Sequence, residues 1–242
     1  MVYFVAIFIT LFFSFIYAKK FFRGDIEDRS VFLAASLVGN TGNLGIPLGI
    51  ALFGESSVPY TSILNIANTF FIYIFSVYFF AGDKFRFLDA LKEVIRIPAI
   101  HVCIIALLFN YYGFELSADF DKLFTMGAYC AIVMQLVVFG IFISQVKVRR
   151  ANWKLTLNIV FFKHIILPLV GIFVILYFDI DPFISSIIFL ELIVPLAVNN
   201  VNLSSLYNCK PLDTTFAILI SSTIFVILIY FYILIIHNLL GV

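Results

Sequence analysis

The segment "GNTGNLGIP" (39–47) places three glycines, two carboxamides and a proline inside an otherwise apolar run. Pro47 cannot donate a hydrogen bond to the carbonyl of Asn43, and the glycines allow the backbone to leave helical geometry. In a membrane, such irregular backbone survives only inside protein or beside a watery cavity. A half-helix beginning at Pro47 would offer free amides and a positive dipole end to an anion. The segment therefore predicts a binding site.

A second segment of the same kind, "LELIVPLAVNNVNLSS" (190–205), lies near the other end of the chain. Pro195 frees the carbonyl of Glu191, and three asparagines follow at once: Asn199, Asn200 and Asn202. Two proline-broken polar segments in one chain both point to the protein interior.

Two charged residues, Lys163 and Glu191, fall inside apolar runs. Each lies about nine residues from the nearest end of its run, roughly 13 Å deep at a rise of 1.5 Å per residue. A charge at that depth is costly and normally faces a partner or a cavity. We therefore predict an intramembrane charge pair, with a structural role favoured over a proton relay and both left open.

Catalytic chemistry finds little support in the sequence. The aspartates all lie in loops or at the ends of apolar runs, which disfavours an intramembrane aspartyl enzyme. Three dispersed histidines supply no HExxH-like zinc set, and three scattered cysteines make neither a disulfide framework nor a metal site. We expect no enzyme activity, no metal, no cofactor and, with a net charge of +1, no nucleic-acid partner.

The composition predicts an all-α polytopic membrane protein. The chain has 242 residues, is 63% hydrophobic and only 12% charged, which exceeds what a single soluble core could bury. Because a crossing helix needs roughly 20 apolar residues, we predict about eight transmembrane helices, near 2–18, 31–53, 59–81, 95–112, 123–144, 155–178, 182–206 and 213–236.

Basic residues alternate between successive loops. Three loops carry four Lys or Arg each, whereas the loops between them carry none or one. Because basic loops stay in the cytoplasm, these three are predicted to lie inside: Lys19, Lys20, Arg23 and Arg29; Lys84, Arg86, Lys92 and Arg96; Lys147, Arg149, Arg150 and Lys154. Eight spans then place both termini outside the cytoplasm, in a cell (plasma) membrane.

The order of the spans suggests two repeats. Residues 95–242 form five helices whose fourth, 182–206, is broken. Residues 1–81 match only the last three of such a set, with the broken helix at 31–53, and 82–94 form a cytoplasmic connector. An odd-numbered repeat inverts its copy in the membrane, a plan known from secondary transporters. The first repeat is therefore expected to lack two helices.

The broken segments resemble the signature of the auxin efflux carrier family of permeases. The motif "GNTGNLGIPLGIALFG" carries the likeness, together with "NIANTFFIY" (65–73) and "VPLAVNNVNLSSLY" (194–207). The resemblance implies two inverted five-helix repeats whose broken helices cross in a transport domain, and substrates that are small organic anions such as auxin, malonate or malate. By the same likeness the substrate-binding positions are expected to be Asn40, Asn43, Gly45, Pro47, Pro195, Asn199 and Asn202.

The sequence thus predicts a secondary transporter that moves a small organic anion by alternating access. Its expected partners are a carboxylate substrate, the lipid bilayer and a second copy of the chain. The alternative is a non-transporting, truncated family member that needs a partner.

Overall fold

The computed structural model describes residues 1–82, 86–88, 92, 95–96, 98–144 and 151–241. The described chain is helical and contains no strand, with one isolated β-bridge. In chain order, the helices are α1 (Val2–Phe21), α2 (Ile26–Ala35), α3 (Thr41–Phe53), α4 (Glu55–Ala81), α5 (Pro98–Tyr111), α6 (Ala118–Ser144), α7 (Trp153–Phe178), α8 (Pro182–Ile193), α9 (Asn199–Leu206) and α10 (Pro211–Leu240).

The all-helical fold is consistent with a membrane protein. Within the described residues, α1, α4, α7 and α10 are long and apolar enough to cross a membrane, and α3 and α8 are shorter apolar helices. Their outward faces carry large apolar side chains, for example Phe12 and Ile227 at 65% and 67% exposure. Such faces suit contact with lipid tails.

Two broken helices are present as predicted, but the first begins earlier than residue 31. The Asp25 side chain accepts a hydrogen bond from the Asp28 amide (2.8 Å) and caps α2 there. The first turn of α2 is charged, so the apolar run from which the helix was predicted did not include it. The predicted connector at 82–94 lies largely outside the described residues, as do Lys84, Lys147, Arg149 and Arg150 of the basic loops.

The two halves of the chain repeat one order of elements: a long helix, a broken helix and a long helix. These are α1, α2–α3 and α4 in one half, and α7, α8–α9 and α10 in the other. The long helix α7 connects its own half to the other, because its second part packs on α1 and its first part packs on α10. The helix α8 packs against both α7 and α4, so the interior around the breaks is enclosed.

At one end of the bundle, Lys210 joins three connections between helices. Its ammonium bonds to Asp28 (2.7 Å) and Asp25 (3.1 Å), and the Asn152 amide nitrogen also donates to Asp28 (2.9 Å). The Asn152 backbone amide in turn donates to Asp213 (2.9 Å). We call these residues, Asp25, Asp28, Asn152, Lys210 and Asp213, the loop cluster.

Charge and hydrogen bonding shift two pKa values in the loop cluster. The bond from the Asp28 amide, followed by those from Lys210, lowers the pKa of Asp25 below its ordinary value. Burial works against the Lys210 charge, but its hydrogen bonds to Asp28 and Asp25 outweigh that effect and raise its pKa. Asp25 and Lys210 are therefore both charged across the neutral range.

Candidate functional site

The two broken helices cross at their unwound segments. Residues 36–40 separate α2 from α3, residues 194–198 separate α8 from α9, and an antiparallel bridge pairs Gly39 with Leu196. The Asn40 amide donates to the Pro195 carbonyl (2.7 Å), and the Ala197 amide donates to the Val38 carbonyl (3.0 Å). Each break thus satisfies part of the other's exposed backbone, as buried polar groups require.

The first break differs from the expectation that a half-helix begins at Pro47. Helix α3 begins at Thr41 with a π-helical turn, and Pro47 lies in the first turn of its regular part. Proline is tolerated there because its missing N–H costs little near a helix start. The second break follows the prediction: α8 ends at Ile193, two residues before Pro195.

Close approach explains the glycines of the first segment. A Cβ atom at Gly39 would lie 3.0 Å from the Lys163 ammonium, and one at Gly42 would lie 2.8 Å from the Asn65 side-chain oxygen. At Gly45 it would lie 2.3 Å and 2.6 Å from the two carboxylate oxygens of Glu191. Three neighbouring helices thus press against this one strip of backbone.

Polar side chains of α4 and α1 brace the crossing. Asn68 donates to the Gly39 carbonyl (2.8 Å) and to the Thr41 hydroxyl (3.0 Å), and it accepts from the Tyr3 hydroxyl (3.2 Å). The Thr41 hydroxyl donates to Asn65 (2.9 Å). Asn68 is 2% exposed, so this network is internal and its groups satisfy one another.

A cavity of about 380 Å³ lies beside the crossing. Three of the predicted residues, Asn40, Asn43 and Asn199, line it, whereas Gly45, Pro47, Pro195 and Asn202 are not part of its lining. The remaining polar lining comes from the first break, the first turn of α3 and α4: Gly39, Thr41, Gly42, Ser62, Asn65, Asn68 and Thr69.

Backbone amides also face this region. The first hydrogen bonds within α3 are donated by Leu44 and Gly45 to the Asn40 carbonyl, so the amides of residues 41–43 precede the helix's own ladder. Helix α9 begins at Asn199. Two helix N-termini therefore flank the cavity, which favours a negatively charged ligand.

Lys163 and Glu191 are both buried next to the crossing, at 1% and 0% exposure. The Lys163 ammonium donates to the Leu192 carbonyl (3.0 Å). Neither carboxylate oxygen of Glu191 has a hydrogen-bond partner, and the ion pairs of the described residues do not include these two side chains. Lys163 and Glu191 thus both lie next to the glycine segment 39–45, but among the described residues they form no ion pair with each other.

Side chains of α7 and α10 form a hydrogen-bond network that contacts the second break. The His164 Nε2 atom and the Ser221 hydroxyl are 2.8 Å apart, and that hydroxyl accepts from the Leu196 amide (3.1 Å). The Tyr232 hydroxyl donates to the His164 carbonyl (2.9 Å). These bonds hold α8–α9 against α7 and α10.

Comparison with known proteins identifies the family. The family profile described as "Membrane transport protein" matches residues 1–89 and 86–233, almost the whole chain. The chain belongs to this family. The resemblance to the auxin efflux carrier family is thereby confirmed.

A similar protein is an uncharacterized transporter of Methanocaldococcus jannaschii, 24% identical over 107 residues. The match covers 43% of this chain and 34% of the relative, so the chain spans about a third of that relative's length. Family membership and this relative both support a membrane transporter.

Some residues of the site escaped the sequence-based prediction. Asn65 and Asn68 belong to the "NIANTFFIY" motif, yet only their packing reveals that they brace the crossing. Their signal was two carboxamides three residues apart in an apolar helix, which places them on one face. Within the described residues, no group of three or more His, Cys, Asp or Glu side chains could hold a metal ion.

Proposed function

We propose that this protein is a secondary transporter that carries a small organic anion across the cell membrane by alternating access. The observation that carries the proposal is the crossing of two unwound segments, joined by the Asn40–Pro195 and Ala197–Val38 hydrogen bonds, beside a polar cavity. Irregular backbone inside a membrane protein is tolerated where it lines such a cavity.

The lining supports an anion of carboxylate type. Carboxamide and hydroxyl groups can donate to carboxylate oxygens, and the N-termini of α3 and α9 add positive potential. The Lys163 ammonium lies just behind Gly39, which is part of the lining. The apolar part of the lining, which includes Ile46, Val58 and Ile72, suits the hydrocarbon portion of an organic anion.

Alternating access in this proposal follows from the repeated order of elements. The two broken helices belong to sets inverted in the membrane, with eight spans in all, and they move together because their unwound segments are hydrogen bonded to each other. The cavity beside them then opens to one side of the membrane at a time.

Uptake into proteoliposomes tests the proposal, with radiolabelled malonate and radiolabelled auxin as probes. Asn43→Ala and Asn199→Ala each remove a carboxamide from the lining, so we expect uptake to fall about tenfold or more, because each removes a hydrogen bond to a charged ligand.

Asn202→Ala is the matched control, because Asn202 lies one turn further along α9, is exposed and is not part of the lining. It should keep uptake close to that of the unmodified chain. Equal losses in Asn199→Ala and Asn202→Ala, or full uptake in both lining variants, would contradict the site.

A further inference from the structure

We propose that Glu191 binds the proton that crosses the membrane together with the anion, so that transport is proton-coupled symport. This inference rests on the proposed function and adds its driving force. The observation behind it is a carboxyl group that is fully buried at the crossing and has no hydrogen-bond donor among the described residues.

The surroundings of Glu191 favour its neutral form in the described state. An ionised carboxylate without donors is very costly to bury. Lys163, the cation in electrostatic contact with it, donates its hydrogen bond to the Leu192 carbonyl instead. Protonation of one carboxylate oxygen removes the buried charge, and the proton needs no space beyond the O–H bond.

Among the titratable groups at the crossing, Glu191 is the one suited to bind and release a proton. Lys163 of α7 and Tyr3 of α1 are in electrostatic contact with it. The adjoining α3 carries no titratable side chain. His164, which follows Lys163 on α7 and is in electrostatic contact with it, bonds to Tyr232 of α10 and to Ser221 rather than to Glu191.

A metal cation fits this place poorly. A hard cation gathers six or more oxygen ligands, whereas the Gly45 backbone lies directly against both carboxylate oxygens, as the 2.3 Å and 2.6 Å approaches of a Cβ there show. On the side that faces Gly45, the carboxyl group has room for a proton but not for a metal ion with further ligands.

The position of the two charges explains how a proton and an anion would be coupled. Lys163 lies behind Gly39, which lines the cavity, and Glu191 lies behind Gly45, at the end of the same strip and just outside the lining. When Glu191 is ionised, it offsets the positive potential of Lys163. When Glu191 is neutral, that potential attracts the anion. Each ligand therefore strengthens binding of the other.

The step is balanced without an electron transfer. A proton from water on one side bonds to a carboxylate oxygen of Glu191, the anion enters the cavity unchanged, and both leave to the other side after the access switch. The carboxylate is then restored.

Proteoliposomes with the membrane potential clamped at zero test the coupling, with radiolabelled malonate as the probe. If one proton accompanies each anion, an inward gradient of one pH unit should hold about a tenfold accumulation of malonate at steady state. Glu191→Gln should abolish this accumulation while keeping malonate–malonate exchange, and Glu191→Asp should restore it. Glu115→Gln, an exposed carboxyl change in the α5–α6 loop, should behave like the unmodified chain.

Infrared spectroscopy of the purified protein is a second test that needs no substrate. At neutral pH the unmodified chain should show the carbonyl band of a protonated carboxylic acid, lost in Glu191→Gln and kept in Glu115→Gln. Absence of this band from the unmodified chain, or its persistence in Glu191→Gln, overturns the proposal.

The two tests separate failure of the inference from failure of the proposed function. Malonate uptake that ignores the proton gradient, or a gradient response that persists in Glu191→Gln, overturns the inference alone. If the unmodified chain moves neither malonate nor auxin, the proposed function fails, and the infrared band still decides whether Glu191 holds a proton.

Discussion

At the scale of single residues, the crossing depends on glycines, which have no side chain, as much as on the polar side chains that contact them. The strip Gly39, Gly42 and Gly45 lets three helices approach to distances that a methyl group would block. The polar groups that arrive there, Lys163, Asn65 and Glu191, come from α7, α4 and α8. The glycines thus allow charged and polar side chains from three helices to pack against one backbone segment.

Gly45→Ala should destabilise the protein by about 1–3 kcal/mol, the usual cost of overpacking a core. The reason is the collision of the new methyl group with the Glu191 carboxylate. In a Glu191→Ala background the collision disappears, so the penalty should shrink markedly. Thermal unfolding in detergent measures both.

Gly127→Ala is the matched control, because a Cβ at Gly127 in α6 would have nothing within 4 Å. It should be neutral or slightly stabilising, since alanine favours helix. Similar penalties at Gly45 and Gly127 would mean that the close approach is not what selects glycine.

The residues of the lining were predictable to different degrees. Asn40, Asn43 and Asn199 could be named because they match the family's motifs in the two proline-broken segments. Asn65 and Asn68 could not, because their importance depends on which helix packs against α3. The burial of Lys163 and Glu191 was likewise predictable from charges inside apolar runs, whereas the different hydrogen bonding of the two charges arises from tertiary packing.

At the scale of elements, the two breaks are made differently. The second is a proline break, because α8 stops just before Pro195. The first lies at residues 36–40, where Asn40 bonds across to the other segment, and Pro47 sits inside α3. A proline within a polar segment is compatible with a break before it or at it, so the pattern could not place the first break to the residue.

Pro195→Ala should therefore reduce uptake about tenfold or more, whereas Pro47→Ala should leave it within about twofold. An alanine at 195 regains an N–H that can extend α8 toward the Glu191 carbonyl and draw the crossing out of register. An alanine at 47 changes a position where proline was merely tolerated. Uptake of the same probe by both variants, normalised to protein amount, measures the contrast, and the opposite order would contradict this account of the breaks.

At the scale of the whole molecule, the loop cluster ties one end of both halves together. Lys210 precedes α10, Asp25 and Asp28 begin α2, and Asn152 begins α7, so one ion-pair network joins the broken helix of the first set to the first and last helices of the second. No long-range pairing of this kind could be derived from the sequence, where Lys210 and Asp28 are 182 positions apart.

Lys210→Met should lower the thermal stability at neutral pH but not at strongly acidic pH. Asp25 has a lowered pKa in the fold, so its contribution is present above its unfolded pKa of about 3.9 and is lost as the pH falls through the lowered value. Lys210 has a raised pKa, so its contribution is complete below about 10.4 and is lost as the pH rises through the raised value.

The size of this effect is modest, because the side chains of Lys210 and Asp25 are 21% and 48% exposed and solvent screens such pairs. Unfolding temperatures across the pH range measure it, with Lys122→Met, an exposed lysine of α6, as the control. A pH-independent loss in Lys210→Met would show that its packing and not its charge matters.

The residues at the two ends of the bundle predict how the protein is oriented in the membrane. Asp25, Asn152 and Lys210 meet at one end, whereas the rings of Phe53 and Tyr60 meet Phe183 at the other, where α3 turns into α4 and α7 into α8. The first end is the one whose loops are rich in Lys and Arg, so it is predicted to face the cytoplasm.

Single cysteines test this orientation in a background in which Cys103, Cys130 and Cys209 are replaced. Ser56 and Arg23 are both exposed and stand at opposite ends of the first broken helix. An impermeant thiol reagent should modify Ser56→Cys in intact cells and Arg23→Cys only after lysis. The reverse pattern would invert the protein in the membrane but keep its fold. Modification of both positions from the same side would instead contradict a first broken helix that crosses the membrane, and with it the alternating-access proposal.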